Sequence, residues 1–346
     1  MFDLESKLYL DILFLIIIII GVLSNIVNII IFSRKNMYKM PTFRYLLYIS
    51  IIDLLILSIC ATDSLVIHSF NFEIRLFSTY VCKIHVFLTY YLTHLSSIML
   101  MIVSIERTCV IYNKRFRCFR LESINKSVLI ICIIMALVNC HYLYFFSLHL
   151  EYLNYEVNHN DNNYTNQSFT NVLNSVNISQ RNIDFETNIT TDFYQEFLYI
   201  CYSLDNVPYS DFLLNIWVFI DSSLYSFIPF CVMLVCSSLI MNKLIKNRRH
   251  LLITNSNALT NQIQYKRNNQ ILYLLIVTNF AFIVFSLPYS ILNNNNIVTT
   301  THDSLHVAHI LAYSNNSFNF IFYVIFSVKY RSELTDLFRI RGSKNV

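Results

Sequence analysis

The sequence predicts an all-α membrane protein folded as a bundle of seven transmembrane helices, and three observations predict it. The 346 residues are 55% hydrophobic and 13% charged, with a mean hydropathy of +0.49, a balance that belongs to chains whose solvent is lipid. Seven stretches are long enough to cross a bilayer as helices, which takes roughly 20 mostly apolar residues each. They run over 8–33, 43–68, 81–105, 127–149, 212–241, 269–292 and 304–326. Lysine and arginine gather in alternate connections between them, as expected of a chain that threads back and forth through a membrane.

The first stretch, "LYLDILFLIIIIIGVLSNIVNIIIF", exceeds the roughly 7–15-residue apolar core of a secretory signal and lacks a small-residue cleavage site, so it reads as a retained helix. After it come Arg34, Lys35, Lys39 and Arg44 with no acid. The segment between the third and fourth stretches has Lys114, Arg115, Arg117, Arg120 and Lys126 against Glu122 alone. Between the fifth and sixth lie Lys243, Lys246, Arg248, Arg249, Lys266 and Arg267, again with no acid. These three segments belong on the cytoplasmic side. The connection 150–211 is the opposite, with nine acids against Arg181, and belongs outside. Seven crossings of the plasma membrane then leave the N-terminus outside and the C-terminus in the cytoplasm.

That acidic connection holds four glycosylation acceptors, Asn163, Asn166, Asn177 and Asn188. Similar triplets at Asn125 and Asn315 fall on the basic side and inside a stretch, so it is the clustering that carries weight. Residues 154–190 are rich in Asn, Thr, Asp and Ser without an apolar period and read as disordered. Of the nine cysteines, Cys82 and Cys201 are the two on the oxidising side. A bond between them would tie the connection across the mouth of the third helix; the alternative is two free thiols. Cys118, in a basic segment, is either lipidated or simply exposed.

Several chemistries are excluded. With only Gly21 and Gly342, neither a phosphate-cradling loop nor a dinucleotide fingerprint can be built. There is no HExxH and no CxxC, and the chain reads as no enzyme. His302, His306 and His309, at i, i+4 and i+7, are the only approach to a metal cluster; they read as a wet helix face, with zinc as the alternative. Two features call for a function. Glu106 and Arg107 close the third stretch 25 positions after Cys82, one membrane crossing at about 1.5 Å per residue. Glu106 would hold the arginine in one state and a cytosolic partner would claim it in another; the alternative is a snorkelling arginine at the membrane edge. Asp53 is an acid in mid-membrane, a costly placement that turns it toward the bundle interior.

Read in order, the chain resembles the rhodopsin-like (class A) G-protein-coupled receptors. "GVLSN" carries the family's helix-one glycine and asparagine as Gly21 and Asn25, "LYISIIDLL" its helix-two aspartate as Asp53, and "ERT" stands for Asp/Glu-Arg-Tyr. "SFIPF" and "FSLP" supply prolines at Pro229 and Pro288, and "NFIFY", Asn319 to Tyr323, stands for Asn-Pro-x-x-Tyr. "KYRSELTDLF" looks like the short amphipathic eighth helix of the family, giving a receptor domain over 1–326 and a helix and tail over 327–346. The chain departs from the pattern at Ser286, where a tryptophan is usual, at Phe320, where proline is usual, at Ser237, where a tyrosine is common, and in a helix four without tryptophan, the chain's only one being Trp217.

The resemblance implies a Cys82–Cys201 disulfide, a coupling switch of Glu106, Arg107, Asn319 and Tyr323, and an allosteric sodium ion among Asn25, Asp53, Ser96, Asn315 and Asn319. A hydrogen-bonded polar cluster is the alternative reading of those five. It also implies a ligand pocket among Asp63, Thr89, Tyr90, His94, Asp221, Tyr289, His309 and Tyr313. Thr89 stands where amine receptors have an aspartate, which argues against a monoamine. Asp63 and Asp221 would pair with a cationic ligand, the alternatives being a place at the water surface for Asp63 and a bond to Ser222 for Asp221. With these acids and the acidic connection, a cationic peptide is favoured, and "NSFNFIFY" resembles the invertebrate FMRFamide-receptor-like group. The implied partners are an extracellular peptide, a heterotrimeric G protein, arrestin, a receptor kinase and membrane lipid, with no nucleic acid. A small-molecule or orphan chemosensory receptor and a multi-span transporter are the alternatives.

Overall fold

The computed structural model describes residues 4–70, 72–112, 121–156, 193–202, 207–254, 259–294 and 302–342. The four glycosylation acceptors, Cys118 and most of the acidic connection lie outside the described residues. We number the long helices α1 (Leu4–Phe32), α2 (Pro41–Phe70), α3 (Thr79–Tyr112), α4 (Leu121–Asn139), α5 (Pro208–Lys246), α6 (Leu259–Asn294), α7 (His302–Phe326) and α8 (Val328–Gly342).

Lipid as the solvent reverses the usual burial pattern, and α1 records that reversal. Its outward face is Leu8, Ile12, Leu15, Ile16, Ile19 and Leu23, while Ser24, Asn25 and Asn28 are buried. On α4, Leu129, Ile130, Ile133, Ile134 and Leu137 likewise point outward. Six helical stretches are long and apolar enough to cross a membrane: Glu5–Phe32, Pro41–Phe70, Thr79–Tyr112, Ile124–Phe145, Pro208–Lys246 and Leu272–Leu292. The chain is a multi-pass, all-α membrane protein. The seventh predicted span, 304–326, is helical and packs against α1 and α6, yet it is not among the six. The reason lies in its composition, since Ser314, Asn315, Asn316, Ser317 and Asn319 are all buried. All five lower the hydropathy of the span; Asn319 joins α7 to α2 through Asp53, while Ser314 and Ser317 donate back to carbonyls of α7 itself.

Three other expectations change. Helix α4 and the short helix His141–Phe145 end before Ser147, where a strand β1 (Ser147–Glu156) begins; the predicted helix had run to 149. Strand β1 pairs antiparallel with β2 (Phe193–Tyr202), placing Leu148 opposite Cys201, so 154–156, expected to be disordered, are strand; the rest of the 154–190 stretch lies outside the described residues. Finally, α3 continues to Tyr112, so Glu106 and Arg107 sit within a helix, not at its end.

The Cys82–Cys201 disulfide forms, with Cα atoms 5.7 Å apart, and pins β2 to the start of α3. In water, closing a loop of about 100 residues stabilises a fold by about 4.7 kcal/mol. Here the bilayer already confines the flanking helices, so Cys82→Ser is expected to cost less, about 2 kcal/mol at the low end of the usual range. Unfolding of reduced and oxidised protein in micelles measures it.

At the opposite end the basic segments meet. Arg44 reaches Asn125 at 3.5 Å, Tyr112 donates to the Leu239 carbonyl at 2.9 Å, and Arg34 pairs with Glu333 of α8 at 3.2 Å. Tyr330 of α8 donates to Asn28 at 2.6 Å, and burial pushes its phenol above the usual pKa, keeping it a donor.

Candidate functional site

The predicted site residues occupy three levels of the bundle. At the inner level, Arg107 Nε lies 2.8 Å from Glu106 Oε2, with the carboxylate buried and the guanidinium 13% exposed. One turn earlier, the Ser104 hydroxyl donates to Asn279 Oδ1 at 2.9 Å, and Asn279 Nδ2 donates to the Ser237 hydroxyl at 2.9 Å. Asn279 therefore ties α3 to α5 through α6. Sequence reading passed over it, because an asparagine in an apolar span has no motif to mark it; it did single out Ser237, as a place where a tyrosine is common. Asn319 and Tyr323 stand apart from this group. Tyr323 is buried edge-on to Phe32 at 5.2 Å and near Tyr330 at 5.7 Å.

At mid-level, Asp53 accepts from Ser96 Oγ at 3.1 Å on one oxygen and from Asn319 Nδ2 at 2.8 Å on the other. This joins α2, α3 and α7. Neither donor is charged, so a proton or a cation is what would neutralise the carboxylate. Asn25 turns elsewhere, donating to the carbonyls of Gly21 at 3.0 Å and Asn316 at 2.9 Å. Asn315 is buried on the neighbouring turn of α7. Of the five sodium candidates the structure thus brings together Asp53, Ser96 and Asn319.

The outer level holds the two acids expected to meet a ligand, and each faces a histidine. His94 Nε2 lies 2.9 Å from Asp221 Oδ1, with both residues buried, in place of the alternative bond to Ser222. Asp63, also buried, lies 3.6 Å from His85. The shift has a backbone cause. Asp63 directly follows a π-helical turn, Ile56–Ala61, and Asp221 sits in Val218–Ser222 between π turns at Leu213–Trp217 and Ser223–Phe227. Each inserted residue rotates the next turns of the helix by about 100°, so 3.6-residue spacing cannot foretell which neighbour those acids meet.

The remaining predicted pocket residues form aromatic contacts. Tyr90 stacks on Tyr142 at 4.5 Å, and Tyr142 packs edge-on to Trp217 at 5.9 Å. Tyr289, His309 and Tyr313 form a chain with centroids 5.1 and 6.1 Å apart, and Tyr313 stacks on Phe14 at 5.9 Å. The Thr89 hydroxyl donates to its own helix, at the His85 carbonyl, 2.9 Å away. The predicted His302/His306/His309 triplet is not one face: His309 turns to Tyr289, whereas His306 turns to Asp11, and the side chain of His302 lies outside the described residues.

No protein-family model matches the chain, and no curated protein matches it.

Proposed function

We propose that the chain is a seven-helix receptor of the rhodopsin-like type, with α7 as the seventh span and α8 as its amphipathic helix on the cytoplasmic face. It binds an extracellular cationic peptide between α2, α3, α5, α6 and α7 and couples to a heterotrimeric G protein at the inner end. The observation that carries this reading is the inner level itself. Among the described residues, Arg107 forms its ion pair with its own sequence neighbour Glu106, at the place where Asn279 ties α3, α5 and α6 and the basic segments converge. A docking helix that claimed Arg107 would need Asn279 to release one neighbour, which is how a ligand that prefers the open form would be transmitted.

At the outer level, a cationic group on the peptide would compete with His94 for Asp221, or with His85 for Asp63, in a site shielded from water. Oxygen donors on Asp53, Ser96 and Asn319 suit a hard monovalent cation such as sodium, which would supply the positive charge that the two neutral donors do not. Arrestin and a receptor kinase are further partners of this reading, and the four acceptor asparagines, carried outside, would be glycosylated.

Expression at the surface of cultured cells with a panel of amidated cationic peptides, read through calcium and cyclic AMP, tests the proposal. An agonist response that Arg107→Ala abolishes at equal surface expression is expected. A response that survives Arg107→Ala, epitope tags that place both termini in one compartment, or solute uptake independent of G protein would overturn it, the last in favour of a transporter.

A further inference from the structure

Three helices that end on the disulfide side bring one carboxylate and two imidazoles together. Asp11 lies near the start of α1, His68 two residues before the end of α2, and His306 in the second turn of α7. His68 Nδ1 is 2.7 Å and His306 Nε2 is 3.2 Å from the same oxygen, Asp11 Oδ1. One ligand atom from each residue falls within 4.8 Å of the other two. From this arrangement we infer that Asp11, His68 and His306 form a binding site for a zinc ion.

Donor chemistry selects the ion. Two imidazole nitrogens and a carboxylate oxygen are a borderline-soft set that suits Zn²⁺, whereas Ca²⁺ and Mg²⁺ ask for an all-oxygen shell. Three protein ligands leave a fourth tetrahedral position for water or for the other Asp11 oxygen. The set is nearly assembled, since zinc arms of about 2.0–2.1 Å place tetrahedral ligand atoms roughly 3.3 Å apart. Access is through the carboxylate, 15% exposed, while both rings are almost fully buried at 4% and 3%. Phe14 closes one side, edge-on to His306 at 5.8 Å.

One adjustment is required. The two rings are stacked with centroids 3.3 Å apart and planes 5° from parallel. Parallel stacked rings hold their lone pairs in two separate parallel planes, so one ion cannot lie in both ring planes; one imidazole must tilt as zinc enters. Zinc binding therefore opens the stack and exchanges a hydrogen-bonded cluster for a metal clamp on α1, α2 and α7. The site stands independently of the receptor reading. If that reading holds, an ion here would bias the position of α7 from outside the cell.

The test uses the full chain, purified in micelles without a polyhistidine tag, stripped with chelator and reloaded with ZnCl2 alone. Metal content after gel filtration is expected to reach one zinc per chain, with a rise in Tm that MgCl2 and CaCl2 do not reproduce. Losing an outer partner of a metal ligand already weakens binding by roughly 10–100-fold, so removing a ligand itself in His68→Ala or His306→Ala is expected to weaken it by at least roughly 100-fold. His309→Ala should bind like the native chain. Zinc content equal in the native protein and the His68→Ala/His306→Ala double variant would overturn the site, as would no retained zinc in the native protein. Should the histidine variants not fold, zinc-edge X-ray absorption on the native chain decides: a shell with two imidazoles supports the site, and one without imidazole overturns it. Neither arm depends on G-protein signalling, so failure here is distinct from failure of the receptor assay.

Discussion

Replacing His94 by alanine is expected to destabilise the bundle by roughly 3–5 kcal/mol, among the largest effects of any single substitution in this chain. The imidazole is fully buried, and it is the partner 2.9 Å from Asp221 Oδ1. Alanine leaves the carboxylate on α5, its side chain 11% exposed, without that partner. Trp217 and its aromatic neighbours pack beside the pair, Trp217 being 6.5 Å from His94, and restrict the water that could replace the lost partner. Asp221→Asn is expected to be milder, about 1 kcal/mol, since an amide oxygen still accepts from Nε2. The double variant His94→Leu/Asp221→Leu should recover most of the loss, because apolar side chains of similar volume often replace a buried polar pair without cost. Denaturant unfolding in micelles of the native protein, His94→Leu, Asp221→Leu and the His94→Leu/Asp221→Leu variant closes a double-mutant cycle and gives the coupling energy. A His94→Ala protein within about 1 kcal/mol of native would show that the pair is hydrated and that the outer level is wet.

How far the sequence carried this picture depends on which physical signal each element left. Apolar length located the six crossing helices, because lipid demands it of every crossing; the end of the fourth slipped where a second signal was overlooked. In "SLHLEYLNYE", Leu148, Leu150 and Tyr152 alternate with His149, Glu151 and Leu153, the period of a strand, and that alternation could have ended the fourth helix early. Asp53 was legible as an interior acid since its isolation in apolar sequence allows little else, and the donors Ser96 and Asn319 came with the resemblance. Asp221 and Asp63 were legible as acids placed to meet a ligand, but neither their burial nor their histidine partners were. Nothing in "ILSICA" or "SLYSF" announces an inserted residue, and those insertions set the rotation of the helix beyond them. Asp11 and His68 were missed for another reason: neither belongs to a spacing motif in its own span, and only the assembled bundle joins them to His306.

Gly21→Leu is expected to abolish the folded bundle, with Gly21→Ala a graded version that costs about 1–3 kcal/mol. Helix propensity alone predicts the reverse, since alanine is favoured over glycine by about 1 kcal/mol in a helix interior. Packing decides the sign. A methyl at Gly21 would collide with Ser317 Oγ, lie 2.6 Å from Leu57 Cδ1 and 2.9 Å from Ser317 Cβ. The hydroxyl and the leucine tip can rotate away, but Cβ moves only with the backbone, so α7 would have to retreat from α1. That retreat would stretch the bonds that depend on close approach, from Ser24 Oγ to the Ser317 carbonyl at 3.3 Å and from Asn25 Nδ2 to the Asn316 carbonyl at 2.9 Å. Association in lipid relies on such close contact between small residues because no hydrophobic effect drives the helices together there. Thermal unfolding in micelles should rank the variants native, Gly21→Ala, Gly21→Leu in falling stability. Ser317→Ala should rescue Gly21→Ala in part, as it removes only the hydroxyl, and Ser317→Gly should rescue it further by removing Cβ. Rescue by neither would mean that α1 and α7 do not meet at this glycine, and the packing of α7 into the bundle, on which the Asp53 and zinc clusters both depend, would have to be redrawn.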